Sequence, residues 1–360
     1  MTATVLVTGV GGRSVGAGIL HALMRTDTTV RARWRTLATD CDPFSWGLYV
    51  ADAAALLPAA GASGYVDRLA ELIDAHDVMA VIPGTEAEAE LLAAQRAALP
   101  VPVIANDAAL MPLMSDKRQV ERRLAQLGLR SIPSYPWARR QAAASAFGFP
   151  LAVKPTRGTG GSRGVHLVTC QRELEALVPR VDPRSRPIVQ PYIGDPEEEY
   201  TVGVLSDSAG TIIDSIVIRR KLIGLSLLDA RRCGRRTVAI STGISQGYVV
   251  RDAAIQGFCE RLARSLESRG PLNLQLRVHQ GEPYVFEIHP RFSGTTAIRA
   301  SVGFNEPDIL LRHHLHGERF GRLDYSSEVA AIRAFEHVLV PIDEMLPRER
   351  RTPAPRVAVA

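Results

Sequence analysis

Lysine is nearly absent from this chain. Only Lys117, Lys154 and Lys221 occur, so 40 of the 43 basic residues are arginine. Arginine is a planar, permanently charged fork, whereas lysine is a compact point charge on a flexible stem that suits a phosphate oxygen. Where composition replaces lysine so thoroughly, each survivor marks a place that arginine does not fill. Lys154, in Ala152-Val153-Lys154-Pro155, stands directly before the glycine-rich run from Arg157 through Gly158, Gly160, Gly161 and Ser162 to Gly164. That pairing reads as a nucleotide triphosphate site.

Other shortages exclude whole classes. The four cysteines (Cys41, Cys170, Cys233, Cys259) are scattered with no C-x-x-C. That argues against a disulfide framework or structural zinc, and makes a reduced, cytoplasmic setting the expectation. The N-terminus lacks a positive region followed by an apolar core, so it does not read as a signal peptide. The most apolar stretch, Ala53 to Val66, is broken by Pro58, Gly61 and Gly64 and is too short to cross a bilayer. No zinc-finger spacing or aromatic-interleaved basic repeat occurs and the net charge is a modest +5, so nucleic acid and membrane are not expected as partners. What remains is ordinary globular composition, 46% hydrophobic and 22% charged over 360 residues, with room for two or three domains.

Strand and helix signals alternate at the start. Thr4–Thr8 is a short apolar run followed by glycines 9, 11, 12 and 16 and the helical pattern Ile19-Leu20-Leu23-Met24. Strands follow at Thr36–Thr39 (closing on Asp40), Val78–Pro83 and Val101–Ile104, with helices over 66–75 and 86–98 between them. This order implies a parallel α/β sheet for residues 1 to about 110. The spacing Gly9-x-Gly11-Gly12-x-x-x-Gly16 departs from G-x-G-x-x-G, so the glycines read as a tight βα turn rather than an NAD fingerprint. Ser115 is expected to cap a helix running through Lys117 toward Gly128. After an extended linker at Ile132–Pro136, the pattern turns to a β-loop-β unit (Phe149–Pro155, the glycine loop, Val165–Val168). A meander over Ile188–Ile193, Glu199–Val204 and Thr211–Ile218 follows, then a helix over 252–267 and strands at Asn273–Val278 and Tyr284–Ile288. Pro347 onward reads as a loose tail.

Six stretches, in this order, carry a resemblance: Ser115-Asp116-Lys117, Phe149 to Pro155, Gly158 to Gly164, Glu199-Tyr200-Thr201-Val202, Leu272 to Gln275, and Phe286 to Gly294. Together they resemble the ATP-grasp superfamily, particularly the branch of carbamoyl-phosphate synthetase halves and biotin carboxylase, over roughly residues 4–320. The resemblance implies an α/β domain (1–112), an ATP-grasp lobe with the glycine flap (113–190), a C-terminal lobe with a metal site (191–330), and a C-terminal strand and tail (331–360). It further implies that Lys117 and Lys154 contact the ATP phosphates beneath the flap of Gly158, Gly160, Gly161, Ser162 and Gly164. Gln190, Pro191, Tyr192 and Ile193 would border adenine, and Glu199 would accept the ribose hydroxyls. Gln275, Glu287 and His289 fall at the metal positions, where Mg²⁺ would bridge phosphate oxygens. Relatives carry asparagine where this chain has His289, whose nitrogen suits Mn²⁺ better than Mg²⁺, or serves the substrate. Arg291 would stabilise charge on the transferring group, so Arg291 and Lys154 are the catalytic expectations.

Seven basic residues between Arg219 and Arg236 face one acid, Asp229, in what reads as a loop. An approach path for an anionic substrate and a solvated basic face are equally consistent with it. His313-His314-x-His316 is read as a helix end rather than a metal cluster. The resulting expectation is a ligase that activates a small carboxylate as an acyl phosphate and couples it to an amine, with homodimerisation kept open. Bicarbonate or carbamate chemistry, an ATP-binding protein without turnover, and an NAD-dependent oxidoreductase are the alternatives.

Overall fold

The computed structural model describes residues 2–24, 27–157 and 162–346. Its N-terminal sheet is parallel, in the order Ala53–Leu56, Trp34–Asp40, Ala3–Thr8, Val78–Ile82. The edge strand Ala53–Leu56 lies inside the stretch read only as an interrupted apolar run. The strand expected at Val101–Ile104 shortens to a single parallel bridge, Val81 to Val103, because Pro102 has no N–H to extend the ladder. Helices Val15–Met24, Tyr65–Ala75 and Glu86–Ala94 cover the sheet. Tyr65, Leu69, Leu72 and Ile73 share one face at helical spacing and are buried.

Two glycines fix the carboxyl edge of this sheet. Gly9 has a φ of +59°, and a β-carbon on it would lie 2.4 Å from Glu88 Oε2. A β-carbon on Gly84 would lie 1.9 Å from the Thr8 carbonyl oxygen. The chain ends of two parallel strands therefore pack backbone to backbone. Asp40 Oδ2 accepts from the Gly11 N–H at 3.0 Å, so this carboxylate closes the glycine turn.

A six-stranded antiparallel sheet forms the large lobe, in the order Glu282–His289, Pro271–His279, Glu199–Ser206, Ile212–Arg220, Gly247–Val250, Val329–Ala331. The last strand joins this sheet across the boundary expected at residue 330. Helix Ala253–Ser265, capped by Asp252, and helix Lys117–Gln126 press Ile255, Leu262, Val120 and Leu124 onto one face. The cap of the second helix is Asp116, whose carboxylate accepts from the Arg118 N–H at 2.9 Å. Ser115, expected there, ends the preceding short helix Met111–Ser115. Asp116 alone of the two has the extended backbone that an N-cap requires.

The other face of the large sheet shares its core with the N-terminal domain. Val5, Val7, Ile19 and Leu20 pack with Ile216, Phe292, Phe304 and Leu310 in one buried cluster. A small antiparallel sheet, Tyr135–Pro136, Ile188–Pro191, Leu151–Lys154 and His166–Val168, makes the second lobe, backed by helices Arg140–Phe147 and Gln171–Ala176. The basic segment read as a loop is a hairpin, Leu227–Cys233 with Arg236–Ser241. Its Val238 and Ile240 pack on Leu167 and Tyr192 of the small lobe.

Candidate active site

The two lobes face each other across Lys154 and Phe286. Lys154 ends strand Leu151–Lys154, and its Nζ lies 6.0 Å from the Phe286 ring centroid. Phe286 is the extra residue of a bulge, because Gln275 pairs with Glu287 while Leu276 pairs with Val285. A bulge re-aims side chains, and here it turns an aromatic ring toward the other lobe. Lys117, at the first turn of its helix, lines the same recess as Gln190, Val285 and Phe286. Its backbone N–H donates to the Thr156 carbonyl at 3.0 Å, tying the helix to the strand that carries Lys154.

The lysines share an electrostatic environment with one carboxylate. Burial, helped by the charge of Lys117, pushes the Lys154 amine down to about 7 against the opposing effect of Glu287. Burial alone would raise Glu287. The His289 hydrogen bond, together with the charges of His289, Lys117 and Lys154, overcomes that and holds the carboxyl well below its usual range. Two of the chain's three lysines thus converge on Glu287.

Glu287 and His289 lie two apart on one strand, and Gln275 sits directly across from Glu287, so all three project from one face. His289 Nε2 lies 2.9 Å from Glu287 Oε2. Arg291 Nη2 donates to Glu86 Oε1 at 2.7 Å, and the same oxygen stands 3.5 Å from His289 Nδ1. Arg291 Nη1 donates to the Phe292 carbonyl, while its Nε is buried with no hydrogen-bond partner among the described residues. Glu86 was not anticipated. An acid in the first turn of a helix is ordinary dipole complementation, and nothing local ties it to a residue 205 positions away.

Several expected residues sit differently. Gly158, Gly160 and Gly161 lie outside the described residues. Ser162 and Gly164 have φ of +57° and +72°, and the Val165 N–H closes a turn on Ser162. Gln190 is buried and its amide donates to the Ile132 carbonyl at 3.1 Å. Pro191 ends its strand, and Tyr192 is turned to the hairpin, where its hydroxyl bonds both the N–H and carbonyl of Ala239. The Ile193 carbonyl accepts from Arg277 at 3.2 Å.

Glu199 corrects the expectation of an open ribose carboxylate. One oxygen accepts from Arg220 at 2.7 Å, the other from Arg277 at 2.7 and 2.9 Å, and the side chain is only 3% exposed. Arg220 therefore leaves the basic stretch for the interior. Arg231 pairs with Glu173 and Asp229, and Lys221 pairs with Glu197, whereas Arg219, Arg232, Arg235 and Arg236 have no acidic partner among the described residues. His313 bonds Ser208 and the Glu318 carbonyl at a helix end, as its sequence context suggested.

A metal fits this arrangement through oxygen donors. The Glu287 carboxylate and the Gln275 amide oxygen are hard ligands on one face, and one or two carboxylates plus phosphates commonly suffice for Mg²⁺. His289 spends one nitrogen on Glu287 rather than presenting it freely. Among the described residues no group of three His, Cys, Asp or Glu side chains forms a cage without added ligands. No helix among them is long and apolar enough to cross a membrane.

Comparisons with known proteins agree with this architecture. Residues 184–337 match a family described as ATP-grasp in the biosynthetic pathway with Ter operon, and residues 5–104 match the PylC-like N-terminal domain. The carbamoyl phosphate synthase large chain of Halobacterium salinarum is 27% identical over 270 residues, covering 73% of this chain and 24% of that protein. The chain thus spans about a quarter of that relative's length. Among solved structures, N5-carboxyaminoimidazole synthetase from Staphylococcus aureus with ADP superposes with a TM-score of 0.64 at 13% identity, over 90% of this chain and 80% of that one. Biotin carboxylase from Campylobacter jejuni superposes with a TM-score of 0.61 at 17% identity, covering 90% and 74%.

Proposed function

We propose that this chain, whose residues 184–337 match a family described as ATP-grasp, activates a small carboxylate as an acyl phosphate and couples it to an amine, yielding an amide, ADP and phosphate. The observation that carries the reading is that Lys117 and Lys154, two of only three lysines, both reach Phe286, the neighbour of Glu287, between the lobes. The division into an α/β domain (1–112), a flap lobe (113–190) and a metal-site lobe (191–330) is part of the same proposal.

Phosphoryl transfer needs charge neutralised and reactants held in line more than it needs covalent chemistry from the protein. Lys117 and Lys154 would neutralise the triphosphate. The acid's oxygen attacks the γ-phosphorus, the bond to the bridging oxygen breaks, and ADP leaves. Glu287 and Gln275 would hold Mg²⁺ or Mn²⁺, which when bound would supply positive charge to offset the charge of the phosphates. Arg291, fixed by Glu86 and the Phe292 carbonyl, would set its guanidinium charge against the charge that develops on the transferring group.

The relatives named carbamoyl phosphate synthase and biotin carboxylase favour a second reading, in which bicarbonate is the acid. One experiment separates the two. ATP and hydroxylamine are supplied with a panel of carboxylic acids and, separately, with bicarbonate. A stable hydroxamate with stoichiometric phosphate release from one acid supports the ligase. ATP turnover stimulated by bicarbonate alone supports the second reading. ATP binding without turnover across the panel overturns both.

A further inference from the structure

We infer that Glu86 forms the amine subsite and that the acceptor arrives as a cation, a primary ammonium. This rests on the ligase reading and names the acceptor's chemical class. Glu86 opens helix Glu86–Ala94 just past strand Val78–Ile82, beside the glycine turn that ends strand Ala3–Thr8. Open parallel sheets bind ligands in the crevice beyond the carboxyl ends of their strands. Gly84 packs so closely on Thr8 that the turn carrying Glu86 has little freedom to shift.

Arg291 stands at this end of the sheet. Glu86 Oε1 is held by Arg291 Nη2, and no hydrogen bond engages Oε2 among the described residues. Glu86 stands as a carboxylate in an ion pair with Arg291 at 2.7 Å. The Glu86 side chain is 36% exposed, against 11% for both Arg291 and His289. Glu86 is therefore more accessible than the arginine to an incoming second substrate. An ammonium there would gain a charge-assisted hydrogen bond to the unengaged Oε2, which an anion could not make. Coupling then balances simply. The ammonium releases one proton to solvent, its nitrogen lone pair forms the C–N bond, the C–O bond to phosphate breaks, and the leaving phosphate takes the second proton.

Two measurements test this. Glu86→Gln keeps an oxygen for Arg291 and removes only the charge. With the acid that gives a hydroxamate, initial rates are compared for hydroxylamine, which is uncharged above neutral pH, and for a panel of cationic amines including the amino acids. The amide-to-hydroxamate ratio should fall at least about tenfold in the variant, through a raised amine KM. An unchanged ratio overturns the assignment. Independently of any turnover, methylammonium chloride should move the Glu86 carboxyl ¹³C resonance saturably, beyond what equal sodium chloride does. Identical effects of the two salts also overturn it. Absence of a hydroxamate from every acid would instead sink the ligase reading.

Discussion

Two glutamates in this molecule each hold arginine or histidine partners, and they lead opposite lives. Glu199 lies between Arg220 and Arg277, with side chains 3%, 1% and 11% exposed, and the arginines also donate to the carbonyls of Ile193, Ala239 and Ile244. Glu287 stands 30% exposed in a cluster of His289, Arg291, Glu86 and two lysines whose charges are only partly matched. The first cluster is closed and joins the large sheet to the hairpin and the small lobe. The second retains positive charge without a matching anion, which is what a triphosphate would supply. Surplus charge at a cleft, rather than burial of a charged pair, separates a site from a strut.

The comparison breaks most visibly at Glu199. Glu199→Gln leaves two buried guanidiniums short of their counter-charge and should cost about 3–5 kcal/mol of stability, measured by urea unfolding. An unchanged midpoint would mean that the pair is solvated in solution and the strut description fails. Glu287→Gln should have the reverse profile. Stability is expected to shift little, while phosphate release falls by roughly a hundredfold or more, as loss of a charged contact worth about 3 kcal/mol implies. A variant that unfolds while its residual native fraction keeps full turnover would erase the distinction.

A smaller effect follows from Lys154. Its amine is pushed down to about 7 in the folded protein, from an ordinary value of 10.5. Between those two pH values the unfolded chain binds a proton that the native chain does not, so this group makes stability rise with pH in that window. Triphosphate binding should restore the proton. ATP affinity should therefore weaken above pH 7, by at most about tenfold per unit, with proton uptake visible as a buffer-dependent binding enthalpy. Lys154→Met should lose both the uptake and the pH slope. Equal slopes in the two proteins would remove Lys154 from the phosphates.

What the sequence made legible depended on range. Alternating strand and helix periods placed most elements of the larger sheets, because those signals are local. Lys117 and Lys154 stood out because arginine had displaced every other lysine but one. The partners of Glu199 did not, since Arg220 and Arg277 lie 21 and 78 residues away. The hairpin 227–241 looked like a loop because Arg231, Arg232, Arg235 and Arg236 are exposed and hide the alternation that Val238 and Ile240 carry. Phe286 was invisible as a lobe contact because a bulge in pairing has no local signature. Glu86 resembled any first-turn acid until the fold set it against Arg291.

The central claim is that the lobes hold a triphosphate on Lys117 and Lys154, and the third lysine supplies the control. Lys221 is paired with Glu197, outside the cluster around Glu287. Calorimetric titration of ATP with Mg²⁺ into Lys117→Ala, Lys154→Ala and Lys221→Ala proteins compares all three directly. The account predicts that the first two weaken binding by roughly tenfold to a hundredfold, and that the third stays within about twofold. Equal affinities in the three variants, or a loss confined to Lys221→Ala, would contradict it.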